Sequence, residues 1–156
     1  MRIGVISDTH GDRDALHHVV KLVTNVDIWL HAGDCSEDAE YLESLVKVPV
    51  IAARGNCDHK TTARLDEFIN VADKKILLTH GHRYSVKQDT YHVAQVGKLH
   101  DVDIVVYGHT HVPDNSWYQG MLLFNPGSGY GGHGSCGIIE IDIKGQIVGT
   151  FVKLHP

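Results

Sequence analysis

Apolar residues fall along this chain in two rhythms. Short runs, RIGVIS at 2–7, IWLHA at 28–32, PVIAA at 49–53, KILLT at 75–79 and DIVVY at 103–107, have the length and β-branched content of buried strands. Between them the spacing lengthens to that of helices. DRDALHHVVKLVT, at 12–24, sets Leu16, Val19, Val20 and Val23 on one helical face. Ser36 stands where an N-cap would open a second helix over 37–46, and a third is expected over 89–100, ending before DIVVY. Strand and helix alternating from the first residue is the α/β pattern.

The final third changes character. MLLF, GIIEIDI and IVGTFVKL are strand-like and helical signals are few. The Gly-rich stretch NPGSGYGGHGSCG and a turn around Lys144 and Gly145 join them. This part is expected to form an antiparallel sheet packed on the first. The whole, residues 1–156, is then one domain: two sheets face to face with helices outside.

At 156 residues the chain can bury one core without staples, and 42% apolar with 21% charged residues places it among soluble globular proteins. No apolar run approaches the roughly 18 residues that span a bilayer. The chain meets Asp8 before a signal-peptide core develops, so the cytoplasm is the expected compartment and no membrane partner is expected. A net charge of −5 argues against a groove-tracking nucleic-acid binder, and no stable nucleic-acid binding is expected. A phosphate substrate stays open, because bound cations can reverse the local sign. Cys35, Cys57 and Cys136 are far apart with no C-x-x-C, which fits free thiols rather than a disulfide framework.

The chemistry sits where the strands stop. GVIS is followed by Asp8, Thr9 and His10; IWLHA by Gly33 and Asp34; VIAAR by Gly55, Asn56, Cys57 and Asp58. ILLT is followed by His80, Gly81 and His82, and IVVY by Gly108, His109, Thr110 and His111. Loops past the carboxyl ends of strands form the ligand crevice of open α/β sheets, so these polar groups should converge on one edge. Carboxylate, amide oxygen and imidazole are ligands for first-row divalent metals. A D-x-H or H-x-H step on extended chain would turn both ends to one face and the threonine away.

Taken in order, D-T-H, G-D, G-N-x-D, H-G-H and G-H-T-H resemble the motifs of the calcineurin-like metallophosphoesterase superfamily. The short chain, the G-N-C-D form and the NPGS at 125–128 are similar to its small YfcE-type phosphodiesterase branch. The resemblance implies a four-layer α/β/β/α sandwich of two facing mixed sheets and a binuclear site. One divalent ion would take Asp8, His10, Asp34 and His111. The other would take Asp34, Asn56, His80 and His109, with Asp34 bridging. Mn or Ni is favoured for both, with Fe, Co and Zn also compatible with these ligands. The implied activity is hydrolysis of a small phosphodiester by a hydroxide shared between ions about 3.5–4 Å apart. Two divalent cations against two carboxylates and one hydroxide leave about one positive charge to draw in an anionic diester.

Cys57 departs from the pattern, since many superfamily members carry histidine there and use it near the leaving group. A thiol, with an unperturbed pKa of about 8.5, is a poorer proton donor to an alkoxide than imidazole at about 6.5. Diesters with good leaving groups are therefore expected to be preferred. Asn56, Cys57 and His82 are the candidate catalytic groups beside the ligands, with His82 a replacement donor or phosphate contact.

His31 is expected buried within its strand, and His17, His18, His59, His92, His100, His133 and His155 structural or solvated. Asn125 and Ser128 either border the pocket or make the turn that Pro126 and Gly127 invite. The glycine-rich loop 129–137 is expected to act as a flap; it is no nucleotide P-loop, since no Gly-Lys-Ser/Thr follows. The competing class is a scaffold resembling the retromer subunit of the same fold, and a metal-storing binder is a weaker third. Extended edge strands leave a homodimer open.

Overall fold

Side-chain alternation decides how the layers stack. In β1 (Arg2–Ile6), Ile3 and Val5 enter one apolar cluster while Ile6 enters another on the opposite face. The same split recurs in β2 (Ile28–His31), where Ile28 and Leu30 oppose Trp29. The Trp29 ring lies over Gly4, where an added Cβ would sit 2.5 Å from it. Successive residues of a strand point to opposite faces, so a continuous apolar run marks a strand covered on both sides.

The computed structural model describes residues 1–155. The remaining elements are α1 (Arg13–Leu22), α2 (Ser36–Leu45), β3 (Val50–Ala52), β4 (Asp66–Val71), β5 (Lys74–Thr79), α3 (Tyr91–Leu99), β6 (Ile104–Val106), β7 (Asp114–Tyr118), β8 (Met121–Asn125), β9 (Ser135–Ile141) and β10 (Ile147–Lys153). They build two mixed five-stranded sheets, ordered β10-β9-β1-β2-β3 and β4-β5-β6-β8-β7. β1, β2 and β3 run parallel, as do β5, β6 and β8. Ile3, Val5 and Leu30 of one sheet join Ile76, Leu78, Val106 and Phe124 of the other in a central core. Leu16, Val19 and Leu42 of α1 and α2 pack with Ile6 and Trp29 on the outer face of the first sheet. Val93 and Ala94 of α3 pack with Leu77, Val105 and Met121 on the second. The result is the α/β/β/α sandwich. Each fully buried aliphatic side chain stabilises it by about 1.5–3 kcal/mol.

Several sequence expectations need correction. The final third does not form a sheet of its own. β9 and β10 pair antiparallel alongside β1, whereas β8 joins β6 in parallel and carries β7 as the edge. β4 and β7 show no apolar run because they are edge strands. DEFINV buries only Ile69 and DNSWY buries none of its residues. Ser36 is the first residue of α2 rather than its cap, and its backbone N–H donates to the Asp58 carboxylate at 2.7 Å. α1 is capped by Asp12, whose side chain accepts from the Ala15 N–H. The glycine-rich loop makes hydrogen bonds to its surroundings: Gly129 N–H donates to Ser7 O, Gly131 N–H to Asp12, and Leu154 N–H to Gly134 O, none of which bears on its expected motion as a flap. None of the described helices is long and apolar enough to cross a membrane.

Candidate metal centre

Beyond the last residues of β1 and β2, parallel pairing continues for one more step. Asp8 N–H donates to Gly33 O and Thr9 N–H to Asp34 O, both at 3.0 Å, which sets the two acidic motifs side by side. In the other sheet Gly108 N–H donates to His80 O. The sheets are then stitched together at this edge. His109 N–H donates to Asp8 Oδ2 at 3.0 Å, and His80 Nδ1 meets Ala32 O at 2.8 Å.

Two ligand groups result. Asp8, His10 and His111 form one; Asp34, His80 and His109 form the other, each with its donor atoms within 4.8 Å of one another. Asn56 adds its amide oxygen to the second, 3.0 Å from His80 Nε2. His109 and His111 thus face different groups although one residue separates them. Asp34 sits with His80, 3.3 Å from its Nε2, and the groups meet where Asp8 Oδ1 lies 3.9 Å from that same nitrogen.

The convergence is not made by extended chain. Asp8, His10, Asp34, His109 and His111 all have positive φ, between 46° and 68°. Left-handed backbone is tolerated by Asp and His better than by most residues, and such conformations gather at functional sites. The D-T-H and H-T-H steps are tight turns, so strand alternation is the wrong reason for the right residues. The threonines do point away: Thr9 into a buried network, Thr110 to Asn125.

The donor set fits divalent cations. Ala32 O takes the proton on His80 Nδ1, which leaves Nε2 as a lone pair aimed at Asn56 Oδ1, Asp34 Oδ2 and His109 Nδ1. Lone pairs facing one another need a cation or an added proton between them. A metal-bound histidine characteristically gives its other N–H to a backbone carbonyl in this way. In the first group His10 Nε2 and His111 Nε2 lie 3.4 Å apart, and His111 Nε2 lies 3.1 Å from Asp8 Oδ1, which is fully buried.

Electrostatics agree. Burial alone would raise the Asp34 carboxyl, but a hydrogen bond from His80, when an added proton occupies its Nε2, and another from the Cys57 N–H outweigh it and hold it below the ordinary carboxylate range. Burial pushes His80 down, yet its bond to Asp34 and the Asp8 charge turn the net shift upward. His109 is lowered to about 4, by burial first and then by His80.

The glycines before the ligands leave room for them. A Cβ on Gly55 would sit 2.0 Å from Asp34 Oδ1, and one on Gly108 would sit 2.1 Å from Ser7 Oγ. Asp58 fastens the Gly55 loop by accepting from both Gly55 N–H and Ser36 N–H.

Other predicted residues stand nearby. Cys57 is exposed, and its thiol is raised by burial and then by Asp34. His82 belongs to neither group; its ring centroid is 5.4 Å from that of His80 and its buried Nδ1 has no partner. Asn125, fully buried, donates to Gly108 O and Thr110 Oγ1 and accepts from Gly127 N–H, locking the two loops together. Ser128 donates to Asp8 O, and Cys35 is outside both groups. The sequence reading missed Ser7, which donates to Asp8 Oδ2, and Asp38, which takes Thr9 Oγ1–H and Gly11 N–H. Nothing in a linear pattern separates these from an ordinary strand-end serine and first-turn helix acid.

Residues 1–143 match the model of the calcineurin-like phosphoesterase superfamily domain. The YfcE phosphodiesterase of Escherichia coli is 30% identical across 82% of this chain and 79% of that protein. A phosphodiesterase of Methanocaldococcus jannaschii is 31% identical across 92% of this chain and 95% of its own. Among solved structures, a single-site variant of Vps29 from Entamoeba histolytica superposes with a TM-score of 0.77 at 25% identity, covering 98% of this chain and 99% of that one.

Proposed function

This chain belongs to the calcineurin-like phosphoesterase superfamily, and we propose that within it the protein is a phosphodiesterase that works with two divalent cations. The observation that carries this reading is the pair of lone-pair clusters meeting at the carboxyl edge of both sheets. Asp8, His10 and His111 would hold one cation, and Asp34, Asn56, His80 and His109 the other. Bound there, such cations acidify a water and neutralise the charge that develops on phosphoryl oxygens.

The chain's own part is positioning and proton handling. Ala32 O keeps the His80 lone pair turned inward, and Ser7 and the His109 N–H hold Asp8 by one oxygen so that the other stays free. Cys57, whose thiol is raised, and His82 stand beside the second group and would be the proton donors to a departing oxygen. The thiol is a weak acid, and burial lowers the His82 imidazole so that less of it carries a donor proton, which favours esters whose leaving group departs without one. Mn or Ni remains the favoured metal.

The test is hydrolysis of bis(p-nitrophenyl) phosphate against p-nitrophenyl phosphate by chelator-treated protein, before and after Mn²⁺ or Ni²⁺ is added. Metal-restored turnover that favours the diester is expected; preference for the monoester would overturn the diesterase assignment. A second reading, a protein-interaction scaffold, draws support from the likeness to Vps29. The presence of every candidate ligand in one place supports the enzyme instead.

A further inference from the structure

Next to the first ligand group a cleft of about 590 Å³ opens between the glycine-rich loop and β10. His111 belongs to both, so the cleft is continuous with the candidate metal centre. Its walls carry Tyr130, His133, Phe151, Lys153 and His155 and, among the described residues, no carboxylate. That composition stands out in a chain with 19 acidic and 14 basic residues. The rings are placed rather than scattered. Tyr130, 58% exposed, sets its ring edge-on to His10 at 6.1 Å, and its N–H donates to Ser128, which holds the Asp8 carbonyl. Phe151 stacks on buried Phe124 at 5.4 Å, and His155 stacks on His18 at 5.0 Å. His133 and His155, expected from the sequence to be structural or solvated, both line this cleft.

We propose that the cleft receives a nucleotide arm of the substrate, with a base against the Tyr130 and Phe151 rings and a second phosphate at Lys153. The inference rests on reading the adjacent centre as a phosphodiesterase site. The volume suits such an arm, since small-ligand pockets run from about 300 to 1,000 Å³. Aromatic faces accept any base by stacking, and a lysine binds phosphate as a point charge. Exposed aromatics beside the Lys153 cation, on a wall with no carboxylate among the described residues, match a planar group that carries further negative charge. An uncharged aryl arm would leave Lys153 without a role, and an inorganic phosphate would leave the rings without one.

Three esters with one leaving group test this: methyl p-nitrophenyl phosphate, thymidine 5′-(p-nitrophenyl phosphate) and its 3′-phosphorylated form. In each, water oxygen bonds to phosphorus, the bond to p-nitrophenolate breaks, and the water's protons pass to phosphate and solvent. With Mn²⁺ present and ionic strength fixed, kcat/KM should climb by about tenfold at each step of the series. Tyr130→Ala should collapse the first step, and Lys153→Gln the second. Calorimetry with thymidine 3′,5′-bisphosphate and metal-free protein gives a readout independent of turnover, and each substitution should weaken binding by about tenfold. A flat series with no bisphosphate binding, or a series unchanged in both variants, overturns the proposal while leaving the phosphodiesterase reading intact. Bisphosphate binding that depends on Tyr130 and Lys153, without turnover of any ester, would uphold the cleft and overturn the phosphodiesterase reading instead.

Discussion

Replacing Thr9 with valine keeps the shape of the side chain and removes only its hydroxyl, which lies between two buried partners. Gly33 N–H donates to His31 Nδ1 at 3.2 Å, so the His31 proton is on Nε2, where Thr9 Oγ1 accepts it at 3.0 Å. The Thr9 hydroxyl in turn donates to Asp38 Oδ2, which also accepts from Gly11 N–H at 2.8 Å. All three side chains are buried. Thr9→Val therefore leaves one buried N–H unsatisfied, at about 1–3 kcal/mol, and removes one hydrogen bond to a carboxylate, at about 1.5–3 kcal/mol. The expected loss is about 2.5–6 kcal/mol, a large share of the roughly 5–15 kcal/mol that holds a domain together. Thr9→Ser keeps the hydroxyl and removes only the methyl that packs at Gly129, for about 1 kcal/mol. Urea denaturation of metal-free protein compares the two through the shift in midpoint. Thr9 also separates Asp8 from His10, so calorimetric Mn²⁺ affinity should fall by about tenfold in Thr9→Val. A valine variant no less stable than the serine variant would refute the reasoning.

Cys57→His is expected to raise kcat/KM on alkyl esters with poor leaving groups by about tenfold or more, with bis(p-nitrophenyl) phosphate little affected and Mn²⁺ affinity unchanged. Equal effects on good and poor leaving groups would count against a proton-donor role at that position. His31 titrates below its ordinary value because it is buried, against the raising effect of Asp38, Asp8 and Asp58. The unfolded state then binds the extra proton first, so the stability His31 contributes is full above about pH 6.5 and falls with acidification by up to about 1.4 kcal/mol per unit. His31→Gln should remove that slope from urea midpoints measured between pH 7 and 5; an unchanged slope would place the titration elsewhere.

The ligands were legible because each strand-end motif repeats one setting, an apolar run that stops at Asp, Asn or His. Their geometry was not, since left-handed turns at Asp8, His10, His109 and His111 leave no mark in hydrophobic periodicity. β8 offered a clue to its true place: its apolar run MLLF does not alternate, as a strand covered on both faces requires, and all five residues of the strand are buried, whereas a surface antiparallel strand would alternate. β4 and β7 were hidden for the opposite reason, as edge strands with mostly polar or half-exposed faces. Asn125 and Asp38 could be read only as turn and helix-start residues, because burial of a polar side chain depends on what packs over it.

Titrating chelator-treated protein with Mn²⁺, while following binding by calorimetry and hydrolysis of bis(p-nitrophenyl) phosphate in parallel, tests the central claim most directly. Two equivalents should bind, turnover should rise to its plateau only as the second is added, and Asp34→Ala should lose both the second equivalent and the activity. Full activity at one equivalent, or an Asp34→Ala variant that still binds two ions and turns over, would contradict a two-cation centre built from these residues.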